Sequence, residues 1–424
     1  MMYRVSHPSK TLKGTVTLSA SKSESNRILI IQALCRERFE IKNIATAEDT
    51  VILKEILDTL YSGPFPEITF NVGGAGTAMR FLTAYFSVKP GIFTLTGNDR
   101  MKKRPIGILV DALRQLGADI EYLEEEGYPP LKITGKTLKG GEVLIDGNVS
   151  SQFISALLLI SPELHNGLTI QFKGKITSRP YIDMTLKMMQ EFRVYGQWQE
   201  DIISVSKQNY HIKSDIGYAY EVEGDWSSAS YWYAIAALSK EVDFNIKGLK
   251  HPSLQGDAVV ADLFSFFGIK TIHTEDGVHL SKFNLHPEHF GFDFSDCPDL
   301  VQTIAVVVSA LNISAYFNGL HTLKIKETDR IIALKNELCK LGVEVEIEND
   351  NSIKISSRET LLQPECIAAY DDHRMVMAFA ALAMKFDYIT IENPDAVIKS
   401  YRDFWKDLKT QGFLIETEVL SKEY

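Results

Sequence analysis

Residues 108–120 read Ile-Leu-Val-Asp-Ala-Leu-Arg-Gln-Leu-Gly-Ala-Asp-Ile, and this stretch decides the fold. Its leucines recur at helical spacing, Gly117 sits where a left-handed helix C-cap belongs, and the apolar run of a strand follows. The helix is expected from Pro105 to Ile120. The same amphipathic pattern returns at Asp49 to Leu60, Tyr181 to Phe192, Asp257 to Ile269, Thr328 to Val343 and Asp403 to Phe413, with Gly268 and Gly342 again in the C-cap place. Short β-rich runs separate these helices: Thr15 to Leu18, Ile92 to Leu95, Val143 to Ile145, Leu168 to Phe172, Phe244 to Ile246 and Val343 to Ile347.

Before each amphipathic helix comes another kind of helix, small-residue and apolar, entered from a polar cluster. The entries are Ser-Lys-Ser-Glu-Ser-Asn-Arg before Ile28, Gly-Gly-Ala-Gly-Thr before Ala78, Val-Ser-Ser-Gln before Phe153, Gly-Asp-Trp-Ser-Ser before Ala229, Cys-Pro-Asp before Leu300, and Tyr-Asp-Asp-His-Arg before Met375. Strand, apolar helix, strand, amphipathic helix and two strands make a βαβαββ repeat, found six times at a period of about 50 to 80 residues. Repeats of this kind stack around a shared core. With 424 residues, too many for one ordinary core, the expectation is an α/β chain of two domains with three repeats each, divided near Tyr220 to Asp225.

Helix N-termini present unpaired N–H groups and a partial positive charge, so six of them flanked by Lys and Arg form an anion trap. The formal net charge of −10 argues against nucleic acid or an anionic membrane, because a general phosphate binder carries a broad basic face. A small anion fits better. The apolar stretches fall short of the roughly 20 residues of a membrane span, the first residues lack a signal peptide's apolar core, and four scattered cysteines make neither a zinc knuckle nor a disulfide framework. A cytoplasmic chain is expected. His286 and His289, with Pro287 between them, do not read as a metal pair.

Taken in order, the entry strings resemble those of the 5-enolpyruvylshikimate-3-phosphate synthase family over essentially the whole chain. The strings are Ser21-Lys22-Ser23 with Asn26-Arg27, Ala75-Gly76-Thr77-Ala78-Met79-Arg80, Thr96-Gly97 through Arg104-Pro105-Ile106-Gly107, and Val149-Ser150-Ser151-Gln152-Phe153. They continue with Ser178-Arg179-Pro180-Tyr181, Gly224-Asp225 with Ser227 to Ser230, Pro298-Asp299, Lys326-Glu327-Thr328-Asp329-Arg330 and Asp372-His373-Arg374-Met375. The resemblance implies an inside-out α/β barrel of two domains, each with three βαβαββ units, one domain of residues 21–223 and the other of residues 1–20 and 224–424. It implies carboxyvinyl transfer from phosphoenolpyruvate to shikimate 3-phosphate by addition and elimination at an interdomain cleft, in a monomer without metal or organic cofactor.

Residue by residue, the resemblance assigns phosphoenolpyruvate to Lys22, Gly76, Arg104, Gln152, Arg330, Arg374 and Lys399. It assigns shikimate 3-phosphate to Lys22, Ser23, Arg27, Ser150, Ser151, Gln152, Ser178, Tyr181, Asp299 and Lys326. Arg forks a carboxylate or phosphate while Lys is a mobile point charge, and both kinds are supplied. The addition needs one group to protonate a methylene carbon and another to take a hydroxyl proton. Glu327 is the candidate acid and Asp299 the candidate base, with Lys22 stabilising the departing phosphate and His373 near the carboxylates. Each polar entry taken alone also reads as an ordinary N-cap, but caps do not require neighbouring cations. The related UDP-N-acetylglucosamine enolpyruvyl transferases carry a cysteine where Gly97 to Gly107 has none, and a decayed scaffold would not keep Lys22, Asp299, Glu327, Arg330 and Arg374 together. The chain departs from the family's common pattern at Gly74 and Thr322, where Asn is usual, and at Ser19-Ala20.

Overall fold

The computed structural model describes residues 1–61, 63, 67–213, 218–285, 287–349 and 351–418; His286 lies outside them. Chain contacts divide the protein into two compact units, Ser21–Val222 and Met1–Ala20 with Glu223–Tyr424. Among the described residues no helix is long and apolar enough to cross a membrane.

At the centre of the Ser21–Val222 unit stand three of the small-residue helices, Lys22–Leu34, Gly76–Val88 and Ser151–Ile160, each packed on the other two. Every residue from Gly76 to Ser87 and from Phe153 to Ile160 is buried. Helices that are apolar on all sides have no solvent face, so they must sit inside. Around them lie sheets and the amphipathic helices. Glu67–Asn71 pairs in parallel with Gly91–Thr96, which pairs antiparallel with Leu131–Gly135 and through it with Asp119–Tyr122. Gly141–Asp146, Leu168–Lys173, Ile202–Val205 and Gly196–Gln199 repeat that order. Alternation sets the faces: Val143 and Ile145 are buried, while Leu144 between them is exposed.

The other unit is built the same way around Trp226–Leu238, Val301–Ala310 and His373–Ala380, which pack on one another. One of its sheets closes with the chain's own beginning, Leu12–Thr17 lying parallel to Val242–Lys247 with Val16 opposite Ile246. Another joins His289–Asp293, Ser314–Asn318, Ser352–Ile355 and Val345–Glu348.

Four sheets thus carry the full βαβαββ pattern and two are reduced. Among the described residues Glu40–Lys42 pairs only with Ala219–Glu221, and the Glu48–Tyr61 helix follows it before the next strand, Glu67–Asn71. Met2–Ser6 lies between Ile389–Glu392 and Leu414–Glu418, with the expected first strand shortened to a bridge from Ile367 to Ile391.

Several boundaries differ from expectation. The first buried helix begins at Lys22, capped by Ser21, so Asn26 and Arg27 lie inside it rather than ahead of it. The segment expected as a helix from Asp257 to Ile269 is a 3₁₀ turn, Gly256–Val259, and a short helix, Val260–Ser265. The helices expected at Pro105 to Ile120 and Thr328 to Val343 are Gly107–Gln115 and Arg330–Lys340. Their ends are set by Gly117 and Gly342, at φ of 103° and 78°, where a side chain would be strained.

A close approach under the Gly76–Val88 helix offers a test. A Cβ on Gly135 would stand 1.7 Å from the Lys89 carbonyl oxygen and 2.2 Å from that of Phe86. Gly135→Ala is expected to cost about 3 kcal/mol by chemical denaturation, at the upper end for overpacking. Gly291→Ala, whose Cβ would meet nothing closer than 3.8 Å, should stay near neutral.

Candidate functional site

In the unit containing Glu223–Tyr424, three entry strings deliver charged side chains to one place. Pro298 starts a 3₁₀ turn that holds Asp299 ahead of the Val301–Ala310 helix. Asp329 caps the Arg330–Lys340 helix by accepting from the Ile331 and Ile332 N–H groups, and Asp372 caps His373–Ala380 by accepting from the Arg374 N–H. These caps place Arg330 and Arg374 at helix starts, facing the carboxylates.

Arg330, 1% exposed, is the hub. Its Nε donates to Asp372 Oδ2 at 2.7 Å, Nη1 to Asp299 Oδ1 at 3.1 Å, and Nη2 to Glu327 Oε2 at 2.8 Å and Asp372 Oδ1 at 3.3 Å. Arg374 Nη2 reaches Asp299 Oδ2 at 2.7 Å and Nη1 reaches the Tyr231 hydroxyl at 3.3 Å, while Lys326 Nζ stands 3.8 Å from Asp299 Oδ1. The cations Lys326, Arg330 and Arg374 therefore meet the carboxylates Asp299, Glu327 and Asp372. Buried His373 has its Nδ1 3.7 Å from Asp372 Oδ1, and Lys399 Nζ donates to the Asp371 carbonyl at 2.6 Å.

The pKa directions follow this geometry. Burial would raise the Asp299 carboxyl, but Arg374, then Lys326 and Arg330, outweigh it and hold the group well below the usual carboxylate range. Burial works against the Arg330 charge, yet Asp372, Glu327 and Asp299 keep it above the ordinary arginine value. Lys326 is lowered by burial, which Asp299 partly offsets. Buried Asp257, which accepts from the Ser227 hydroxyl, is raised to about 6, by burial first and then by the Asp299 charge.

The Ser21–Val222 unit has a different electrostatic character. Arg27, on the Lys22–Leu34 helix, is buried and donates from Nε to Thr185 Oγ1 (2.8 Å), from Nη1 to the Ser23 carbonyl (2.8 Å), and from Nη2 to Ser155 Oγ (2.9 Å) and the Tyr181 carbonyl (3.3 Å). These bonds use four of the five N–H donors of a guanidinium, and their acceptors are all neutral. Burial lowers its pKa to about 10, so it remains cationic at neutral pH. Lys22 pairs with Asp49 at 3.2 Å.

Ser150 caps the Ser151–Ile160 helix, and Gln152 Nε2 donates to Thr77 Oγ1 at 3.3 Å. Ser178, in the left-handed region at φ 53°, opens the helix that carries Tyr181.

Arg104 follows a 3₁₀ turn, Met101–Lys103, and lies over Gly76: a Cβ there would be 2.5 Å from Arg104 Nη1. Arg104 Nε is buried without a hydrogen-bond partner among the described residues. A side chain at Gly76 would therefore displace the Arg104 guanidinium. Arg80 stitches this bed together, donating to the Gly76 carbonyl and the Pro105 carbonyl, each at 3.1 Å.

The candidate residues thus gather in groups: Asp299, Lys326, Glu327, Arg330, Arg374 and, through Asp371, Lys399; Gly76 with Arg104; Arg27 with Ser23 and Tyr181; Gln152 with Thr77. Asp372, Asp257 and Arg80 were given no role from sequence. An Asp before a helix reads as a cap, and nothing in its neighbours reveals that both oxygens also bind an arginine 42 positions away.

Comparison with known proteins places this geometry in context. The profile described as EPSP synthase (3-phosphoshikimate 1-carboxyvinyltransferase) matches residues 6–408. A 3-phosphoshikimate 1-carboxyvinyltransferase of Bacteroides fragilis is 47% identical over 419 residues, covering 98% of this chain and 99% of that protein. One from a Sulfurovum species is 37% identical, covering 95% and 97% respectively. The solved EPSP synthase from Acinetobacter baumannii shares the fold, with a TM-score of 0.79 at 19% identity over 99% of this chain and 100% of that one.

The raised Asp257 carboxyl gives a pH test. Its ordinary value is 3.8 and its folded value about 6, so between them the folded state holds more protons than the unfolded state and stability falls as pH rises through that window. Asp257→Asn removes this penalty. Relative to the parent, its thermal midpoint is expected to improve as pH goes from about 4 to about 7. A pH-independent difference would show that Asp257 does not titrate there.

Proposed function

The chain belongs to the EPSP synthase family, and from that premise we propose how its residues divide the work of the reaction. The enzyme transfers the carboxyvinyl group of phosphoenolpyruvate to the 5-hydroxyl of shikimate 3-phosphate and releases inorganic phosphate, a step of the shikimate pathway to aromatic amino acids. The hydroxyl oxygen bonds to C2 of the enol phosphate as C3 gains a proton; the adduct then loses phosphate and a C3 proton, restoring the double bond.

The observation that carries the assignment is the pair of bonds from one arginine to two carboxylates, Arg330 to Asp299 at 3.1 Å and to Glu327 at 2.8 Å. A buried guanidinium fixes both side chains, so a proton acceptor and a proton donor are held apart at set positions. Asp299 takes the hydroxyl proton. Its depressed pKa makes it a weak base while Arg374 and Lys326 bind it. Anionic ligands compete for those cations, so occupancy of the site raises Asp299 toward its task. Glu327 delivers the proton to the methylene carbon and recovers one in the elimination. Lys22 and Lys399 stabilise the leaving phosphate, and His373 supports the carboxylates.

Phosphoenolpyruvate contacts Lys22, Gly76, Arg104, Gln152, Arg330, Arg374 and Lys399. Shikimate 3-phosphate contacts Lys22, Ser23, Arg27, Ser150, Ser151, Gln152, Ser178, Tyr181, Asp299 and Lys326. In support, the four hydrogen-bond acceptors of the Arg27 guanidinium are neutral, and Arg104 Nε is buried without a hydrogen-bond partner among the described residues. The enzyme works as a cytoplasmic monomer on small anions, with no nucleic-acid partner, a reading supported by the net charge of −10 and four free cysteines.

Phosphate release is expected only with both substrates present, and loss of activity to a chelator with recovery on adding a divalent ion would contradict these side-chain roles. Glu327→Gln should lower kcat by about 10² to 10⁴ while still binding shikimate 3-phosphate, because an amide cannot protonate carbon. Asp299→Ala should lose both turnover and some affinity for that substrate; near-parental kcat in either variant would remove that residue from the chemistry. Gly76→Ala should push the Arg104 guanidinium aside and raise KM for phosphoenolpyruvate about tenfold or more, a loss of at least about 1.4 kcal/mol, with KM for shikimate 3-phosphate little changed.

A further inference from the structure

Glu337 is a fully buried carboxylate to which the reaction gives no role. It lies on the Arg330–Lys340 helix, accepts from the Ala368 N–H at 3.0 Å and the Tyr370 hydroxyl at 2.8 Å, and pairs with Lys340 at 2.7 Å. Two of these partners belong to the short segment that leads into Asp372. In that segment Tyr370 and Asp371 lie in the left-handed region one after the other, at φ of 54° and 53°. Left-handed non-glycine residues are uncommon, and for a bulky tyrosine the conformation is strained. Such backbone persists only where its surroundings hold it.

Asp371 is held as well, at the surface. Its Oδ1 accepts from Asn393 Nδ2 at 2.5 Å, and its carbonyl accepts from Lys399 Nζ at 2.6 Å. Immediately afterwards Asp372 takes up its bonds to Arg330 and to the Arg374 N–H. If this turn relaxed to right-handed backbone, the direction of the chain entering Asp372 would change, and the Asp372 oxygens would leave Arg330.

We propose that Glu337 and Asn393 are positioning residues for the reaction: by bracing the left-handed Tyr370–Asp371 turn from either side, they set where Asp372, Arg374 and Lys399 stand. Glu337 holds the turn through Ala368 and Tyr370, and Asn393 holds it through Asp371. The one turn thereby places two cations assigned to phosphoenolpyruvate, and the inference rests on that assignment.

Glu337→Ala would leave two part-buried donors without their acceptor and a cavity where a fully buried side chain stood, and is expected to fold poorly. Tyr370→Phe, which removes a single hydrogen bond, and Asp371→Gly, which removes the Asn393 bond and frees the backbone at 371 to leave the left-handed region, carry the test. Both should raise KM for phosphoenolpyruvate about 5- to 20-fold while KM for shikimate 3-phosphate stays within about twofold. Because glycine adopts this φ freely, the thermal midpoint of Asp371→Gly should be no lower than that of the parent, which separates loss of positioning from loss of fold. Asp371→Asn keeps the side-chain oxygen and tolerates the left-handed region, so it should return KM to within about twofold of the parent.

Arg374→Ala, measured alongside, tells the two ideas apart. If it raises KM for phosphoenolpyruvate while Tyr370→Phe and Asp371→Gly match the parent, the brace is overturned. If Arg374→Ala itself matches the parent, the assignment of Arg374 is overturned, and the brace with it.

Discussion

The buried guanidinium of Arg330 is the constraint on which the unit containing Glu223–Tyr424 depends. Its bonds run to Asp299, Glu327 and Asp372. A buried ion pair gains little over well-packed apolar groups, but losing one partner leaves an uncompensated charge at a cost of about 3 to 5 kcal/mol. Arg330 therefore fixes the starts of the Val301–Ala310, Arg330–Lys340 and His373–Ala380 helices relative to one another. The carboxylates to which we assign proton transfer are held by the same bonds that join these helix starts.

Charge is handled differently around Arg330 and around Arg27 and Arg104. Around Arg330 each cation already faces a carboxylate, so the cluster is stable before any ligand arrives, and an anion must compete for the cations. In the Ser21–Val222 unit Arg27 is bound by neutral oxygens, and Arg104 lies over a glycine with one nitrogen lacking a hydrogen-bond partner among the described residues. Such cations are costly to bury and gain most from a bound phosphate or carboxylate. The first arrangement shifts pKa values, and to the second we assign binding affinity.

Both depend on helix starts, and the buried helices explain why the starts stay put. Helices apolar on every side leave no freedom to slide toward solvent, and close packing penalises shifts of even a methylene. Where a segment must leave its preferred backbone, as at Tyr370 and Asp371, side-chain hydrogen bonds hold it there, one from buried Glu337 and one from Asn393 at the surface.

Much of this was legible in the sequence. Apolar periodicity located the buried and the amphipathic helices, Gly117, Gly268 and Gly342 marked helix ends, and the order of polar entries carried the family resemblance, because these signals are local and each is written within a few residues. Distant contacts were not. No local signal distinguishes Asp372 as a cap from Asp372 as a ligand of Arg330, shows that Gly76 makes room for Arg104, or places Leu12–Thr17 beside Val242–Lys247 across more than two hundred residues. The first buried helix also starts earlier than its polar string suggests, because Ser21 supplies the cap and tertiary contacts bury Arg27 against Thr185 and Ser155. The sequence by itself determined which residues carry charge and which helices must be buried, since those follow from composition and period. Only the tertiary structure decided which charges meet, how far each pKa moves and which backbone is strained, since these depend on burial and on distances between residues far apart in the chain.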